Sequence, residues 1–165
     1  MTPRIATALL WLFVLNLGVA FGAGLYEHRI VIPTWISVSP DGSLHWDSAA
    51  VRVADTGRRF WAFVTTGPLT LLTLANLWAA WRAASRPLRR WWLAAALLAL
   101  LDRLATFAYF IPTMIALMQA PDSPEAVARA VQWSNLNYVR HLLTLAAWIS
   151  ALKALTQLKT SHPLQ

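Results

Sequence analysis

Four long apolar stretches run through the chain, separated by charged or polar segments. Residues 5–26 and 60–81 each cover 22 positions without Asp, Glu, Lys or Arg. A helix of that length rises about 1.5 Å per residue and crosses the roughly 30 Å hydrocarbon core of a bilayer. Residues 91–119 and 131–153 form two further stretches, each with a few charges inside it. The pattern predicts an all-α, up-down bundle of four transmembrane helices.

The longest polar segment, residues 27–59, joins the first predicted span to the second. It contains the turn sequence Ser39-Pro40-Asp41-Gly42 between two groups of β-branched, aromatic and Leu residues. Pro, Asp and Gly favour tight turns for distinct steric and hydrogen-bonding reasons. We therefore expect an extracytoplasmic loop with a short β-hairpin, folded over one mouth of the bundle.

Prolines mark two further features of the helices. Ser123, Pro124 and Glu125 have the order of an N-cap, a first helical position and an acidic first turn. They predict that the last helix begins there and continues to about residue 158. Pro112 lies within the third span, where it predicts a kink because proline removes a helical hydrogen bond.

Composition supports a single integral membrane domain over residues 1–165. Apolar residues make up 58% of the chain and charged residues 13%, about half the roughly 25% of a soluble domain. The mean hydropathy is +0.48. The chain has no Cys, which excludes disulfides, thiolate metal sites and thiol–disulfide chemistry.

The net charge of +7 follows from membrane topology, so it gives no reason to expect a nucleic-acid partner. One side of the predicted bundle carries basic residues without any acid, whereas the other side carries both basic and acidic residues. The basic side comprises Arg4, Arg82, Arg86, Arg89, Arg90, Lys153 and Lys159. The positive-inside rule then places both termini in the cytoplasm, in a bacterial inner membrane, with lipids as the partner. Residues 5–26 exceed a signal-peptide core of about 7–15 residues, so we interpret them as a retained span. The oligomeric state stays undetermined.

Counting from basic residues at the cytoplasmic boundary predicts one polar level within the membrane. One polar residue in each span lies 12 positions from such an anchor, or about 18 Å along the helix. We expect these residues, with polar groups one or two turns above them, to line a cavity under the loop. The four residues and their anchors are Asn16 from Arg4, Thr70 from Arg82, Asp102 from Arg90, and His141 from Lys153.

The last helix carries the most informative polar stripe. Trp133, Asn137, Arg140, His141, Thr144 and Trp148 recur at helical spacing. Charges at membrane depth cost several kcal/mol unless they are paired, and they often mark a function. We expect Asp102 to pair with Arg140, or with its neighbour Arg103 if the helix geometry allows. Arg140 is the better candidate, since adjacent helical residues point about 100° apart. An ion pair that only fixes helix packing is an equal alternative.

Further candidates share stripes with these residues. Tyr109 lies two turns beyond Asp102, and Glu27 follows Asn16 at helical spacing. Glu27, Asp102 and His141 are predicted at different depths, so we expect no metal site.

The same depth counting bears on haem. His28 is placed about 36 Å from the cytoplasmic boundary and His141 about 18 Å, which argues against a bis-histidine haem. A haem with one histidine ligand stays open, and otherwise we expect no cofactor. We interpret His28, His45 and His162 as loop residues without a special role.

Two features of the sequence resemble features of the anthrone-oxygenase-like membrane proteins. They are the Gly-rich end of the first span, Gly22-Ala-Gly24-Leu-Tyr-Glu27 followed by Pro33, and the spacing Trp133-x-x-x-Asn137-x-x-Arg140. The resemblance covers residues 6–158. It implies the four-span fold and, by analogy with fungal members, oxidation of an anthrone to an anthraquinone without a recognised metal or flavin motif. Most bacterial members have no assigned reaction.

These observations lead to two functional hypotheses. In the first, the cavity binds a small apolar aromatic such as an anthrone or quinol and oxidises it without a cofactor. In the second, the protein binds a lipid, quinone or partner subunit without catalysis; transport is a weaker third. In the first hypothesis His141 or Asp102 is the base and Arg140 stabilises the oxyanion, while the expected binding residues are Asn137, Trp133, Tyr109, Glu27, Asn16 and Thr70.

Overall fold

A computed structural model describes residues 2–160 and is mostly helical; His162 lies outside this range. Three π-helical segments interrupt or extend the α-helices, and one small sheet lies between the first two long helices. In chain order the elements are α1 (Pro3–Tyr26), the first π segment (Glu27–Val31), a 3-10 turn (Ile32–Thr34), β1 (Ile36–Val38), β2 (Leu44–Trp46), α2 (Ser48–Ala54), the second π segment (Gly57–Thr66), α3 (Pro68–Trp81), α4 (Arg86–Ala105), the third π segment (Thr106–Phe110), α5 (Ile111–Gln119) and α6 (Pro124–Thr160).

Three helical stretches of the described chain are long and apolar enough to cross a membrane: Arg4–Thr34, Gly57–Trp81 and Arg86–Gln119. The chain is therefore a membrane protein. The first stretch runs past the predicted end at residue 26, because the helix continues as π and 3-10 turns. The fourth predicted span belongs to α6, which is 37 residues long. The polar residues in the middle of α6 make it less apolar than the other three, so a fourth span stays a prediction.

The long helices pack side by side, with α6 against α1 and α4 and with α3 against the same two helices. Alanines from α4 and α6 are fully buried at the centre, and such small side chains let helix backbones approach closely. Gly18 has the same role, since a Cβ there would lie 3.1 Å from the Trp148 ring. Gly22 differs, because a Cβ there would meet nothing within 4 Å.

A folded cap covers one end of the bundle, called the capped end below. Strands β1 and β2 form the predicted hairpin, with Ile36 opposite Trp46 and Gly42 at φ 85° in the turn. Trp46 is buried, and its indole N–H donates to the Leu117 carbonyl of α5 at 2.9 Å. The cap also contains α2, which the sequence pattern did not predict.

The prolines act at the predicted positions. Ser123 caps α6, since its hydroxyl accepts a hydrogen bond from the Ala126 N–H at 3.2 Å. The irregularity expected at Pro112 takes the form of the third π segment, which ends at Phe110, directly before α5. Short π turns within helices occur frequently at functional sites, and the three π segments here follow α1, precede α3 and follow α4.

Candidate functional site

Asp102 is the centre of a buried ion cluster. Its Oδ1 accepts from the Arg140 Nε at 3.2 Å, so the pairing predicted between α4 and α6 is confirmed. Its Oδ2 accepts from the Arg103 Nε at 3.1 Å and from the Arg103 Nη2. The alternative pairing with Arg103 is present as well, because its long side chain folds back over the neighbouring carboxylate. Asp102 is 1% exposed and Arg103 3%, so two cations share one carboxylate.

Arg140 is held from several directions. Its Nη1 donates to the Asn137 Oδ1 at 2.9 Å, and its guanidinium lies 4.5 Å from the centre of the Phe110 ring. That distance allows a favourable cation–π interaction. Asn137 in turn donates to the Trp133 carbonyl at 2.9 Å, and the Trp133 indole N–H donates to the Phe110 carbonyl at 3.1 Å. Three residues of the predicted stripe, Trp133, Asn137 and Arg140, therefore form a connected network that fixes the position of one guanidinium.

His141 lies near the level of Asp102, as predicted, since its neighbour Arg140 pairs with Asp102. It does not lie near Asn16. Its ring contacts α1 at Gly24, where a Cβ would come within 2.6 Å of the His141 Cε1. Gly24 lies eight residues beyond Asn16, or about 12 Å along the helix, so the predicted common level of Asn16 and His141 is wrong.

His28 is the main residue that sequence reasoning missed. It is only 8% exposed, in the first π segment, and its ring centre lies 5.8 Å from that of His141 and 3.9 Å from that of Tyr138. Its assignment as a loop residue is wrong, and so is the predicted depth difference from His141. The available signal was spacing, since Gly24 and His28 lie one helical turn apart if α1 continues past Tyr26.

Glu27 is bound at the capped end by residues that were not predicted. Its Oε1 accepts from the Thr56 hydroxyl at 2.6 Å and from the Trp61 indole at 2.9 Å. The carboxylate is also close enough to Arg140 to attract it electrostatically. Glu27 therefore links the second π segment to the side of the bundle that holds the ion cluster.

Asn16 and Thr70 lie elsewhere in the bundle. The Asn16 amide donates to the Val64 carbonyl at 2.8 Å, and the Thr70 hydroxyl donates to the Thr66 carbonyl of its own helix at 2.6 Å. Their hydrogen bonds thus satisfy helix backbones and do not reach the Asp102 cluster. The predicted single polar level thus holds for Asp102 and His141, whose neighbour Arg140 reaches Asp102, whereas Asn16 and Thr70 lie outside this cluster.

Several buried polar atoms near the capped end have no hydrogen-bond partner within residues 2–160. Buried polar groups are usually satisfied, and an unmade hydrogen bond costs about 1–3 kcal/mol. Two of these atoms belong to facing histidines and one to the ion cluster, so unused hydrogen-bonding capacity is concentrated around the site. The four relevant atoms are His28 Nδ1, His141 Nε2, Arg103 Nη1 and the Tyr109 hydroxyl.

A cavity of about 300 Å³ opens beside the histidine pair. His28, Arg29, Ile32 and Pro33 line one side, and Ser134 and Tyr138 line the other. The predicted cavity was to be lined by the stripe residues of all four helices. The observed one is bordered by the end of the first span and by a different face of α6.

The described residues contain no cluster of three or more His, Asp or Glu that could hold a metal ion. The side chains do allow acid–base chemistry and oxyanion stabilisation, because an imidazole with a free ring nitrogen lies next to a fixed guanidinium in sequence and in space.

Comparison of the chain with protein-family models, curated proteins and solved structures found no match. The site must therefore be interpreted from its own geometry.

Proposed function

We propose that the protein is a cofactor-independent oxidoreductase of the membrane, acting on an oxygen-bearing aromatic such as an anthrone or quinol with dioxygen as oxidant. The observation that carries this proposal is the position of His141. It has a buried ring nitrogen without a partner, beside the guanidinium that Asp102 and Asn137 hold in place. The setting we propose is a bundle of four spans in a bacterial inner membrane, with both termini cytoplasmic. The packing of α6 against α1 and α4 supports the fourth span.

The chemistry can be balanced for an anthrone. The methylene carbon opposite the carbonyl loses a proton to His141, and the negative charge moves onto the ring oxygen, which Arg140 stabilises. The carbanion form transfers its electrons to dioxygen and forms a carbon–oxygen bond. His141 returns the first proton to the peroxide, which gives a hydroperoxide. Loss of the second methylene hydrogen as a proton then makes the carbonyl and cleaves the O–O bond, and the departing hydroxide combines with that proton as water. The products are one anthraquinone and one water for each anthrone and dioxygen consumed.

The remaining candidates divide into binding and positioning roles. Trp133 and Asn137 position Arg140, since their polar groups bond to the protein. Tyr109 keeps a buried hydroxyl without a partner among the described residues, so it is the better candidate for contacting the substrate. Glu27 supplies a negative charge near Arg140, and Asn16 and Thr70 serve helix packing.

A specific observation also favours the non-catalytic alternative. Both oxygens of Asp102 accept hydrogen bonds, one from α6 and one from Arg103. Such a carboxylate joins two helices, and each of its oxygens is bonded to an arginine. In that case the protein would bind an aromatic, lipid or partner subunit with the ion cluster as a structural support.

Oxidation of anthrone by the purified protein tests the proposal. Anthraquinone formation is followed by absorbance in air and under nitrogen, with wild type, His141→Gln and His45→Gln. We expect an oxygen-dependent rate that falls at least tenfold in His141→Gln and is unchanged in His45→Gln, because His45 lies in the cap. Equal rates for wild type and His141→Gln, or a rate no faster than spontaneous oxidation across anthrones and quinols, would favour the non-catalytic alternative.

A further inference from the structure

The 300 Å³ cavity combines a positive wall with an aromatic one. Arg29 is exposed at its rim and forms no ion pair with any carboxylate in the described chain. Ile32 and Pro33 add apolar surface, while Tyr138 contributes a ring and Ser134 a hydroxyl. No acidic residue lines the cavity. A ligand that fits this lining has a flat apolar body and a negatively charged group.

His28 gives the cavity a rigid aromatic wall. The residue lines the cavity and is more than nine-tenths buried. Contacts with the Tyr138 and His141 rings restrict its orientation. A ring in a fixed orientation can pack against a flat ligand with little loss of side-chain entropy, which is the general advantage of preorganised sites.

Size limits the ligand further. Pockets for small molecules span about 300–1,000 Å³ and are mainly apolar with a few well-placed polar groups. The cavity lies at the lower end of this range, so it accommodates one ring or two fused rings. Arginine binds carboxylates through paired N–H donors, which makes a carboxylate the best match for Arg29.

We propose that this cavity is a binding site for a small aromatic carboxylate, with its carboxylate on Arg29 and its ring against His28 and Tyr138. The site requires no redox chemistry, so it exists whether or not the protein oxidises an aromatic substrate. It also assigns a role to His28 and Arg29, which the catalytic proposal does not use.

Binding of 2-naphthoate and its uncharged counterpart 2-naphthamide tests the site. The full-length protein is placed in nanodiscs of zwitterionic lipid under nitrogen, and binding is measured by equilibrium dialysis. We expect naphthoate to bind at least tenfold more tightly than the amide. Arg29→Gln should remove this preference, and His28→Gln should weaken the binding of both ligands. Arg129 is an exposed arginine near the start of α6, and Arg129→Gln should leave the binding of both ligands unchanged.

Equal binding of acid and amide to the wild type would overturn the proposal, as would an Arg29→Gln protein that matches Arg129→Gln. If His28→Gln does not fold, Arg29→Gln still decides, because Arg29 is exposed. Nanodiscs containing an anionic phospholipid provide a further test. Loss of naphthoate binding there, restored in zwitterionic lipid, would assign the cavity to lipid headgroups and also overturn the proposal. Because dioxygen is absent, failure of the oxidation assay leaves these results intact.

Discussion

Replacing Gly24 by Ala tests the contact that brings His141 against α1. The added Cβ would lie 2.6 Å from the His141 Cε1 and 2.9 Å from its Nδ1, closer than carbon and nitrogen atoms approach without a bond. The ring must therefore turn or the helices must separate. Gly22→Ala is the matched control, since it lies two residues away on the same helix and meets nothing within 4 Å.

The magnitude follows from two opposing effects. Ala improves helix propensity over Gly by about 1 kcal/mol, and this gain is common to both variants. Overpacking in a well-packed interior costs about 1–3 kcal/mol. The clash is with the outer edge of a side-chain ring, so we expect the lower half of that range. Gly24→Ala should thus be about 1–2 kcal/mol less stable than Gly22→Ala.

Unfolding in mixed micelles, followed by Trp fluorescence, measures this difference. Adding His141→Ala to each variant should abolish it, because the ring that meets the new methyl group is then gone. Histidine NMR signals give an independent check, since a turned His141 ring changes its stacking on His28. Equal stability of Gly24→Ala and Gly22→Ala, with unchanged histidine signals, would refute the described packing of α1 against α6.

Two further predictions concern the ion cluster and the cap. Asp102→Asn should lower the free energy of unfolding by about 3–5 kcal/mol, because it leaves buried arginines without their counter-charge. Adding Arg140→Gln should recover part of this loss in a double-mutant cycle of unfolding free energies. Strictly additive effects of the two substitutions would contradict a direct interaction. In the cap, the Trp46 backbone N–H and the His45 ring bond the Asp122 carboxylate and lower the pKa of Asp122 below its ordinary value. The stabilisation is therefore complete above the unfolded-state pKa of about 3.9 and is lost as the pH falls through the lower folded-state value. Acid titration of Trp46 fluorescence should show this transition, and Asp122→Asn should remove it; an unchanged transition in that variant would assign it to another group.

The ion pair across α4 and α6 could be predicted because membrane depth imposes a strong constraint. A charged side chain in the hydrocarbon core needs a partner of opposite charge, and few basic residues were available to pair with Asp102. The hairpin could be predicted for a local reason, the Pro-Asp-Gly turn. Neither prediction required knowledge of how the helices are placed along each other.

The histidine pair could not be predicted, because it depends on that placement. Counting from Arg4 and from Lys153 assumed that each basic residue marks the membrane boundary, and it separated His28 from His141 by about 18 Å along the bundle, whereas their rings lie 5.8 Å apart. The contacts of Glu27 with Thr56 and Trp61 were missed for a similar reason. Trp61 lies within the second predicted span, but no pattern in the sequence indicates how that span is placed against Glu27.

The π segments make the geometry at the capped end sensitive to chain length as well as to side-chain chemistry. A π turn closes its hydrogen bonds over one more residue than an α turn, so each segment accommodates what amounts to an insertion. Deleting one residue from Thr106–Phe110 would therefore let the helix return to regular α winding without turning α5 relative to α4. Deleting one residue from the regular helix between Arg90 and Asp102 would instead turn Asp102 by about 100° relative to the start of α4, although every ionisable side chain would still be encoded. The place of a single-residue deletion thus decides whether this end of the bundle keeps its ion cluster.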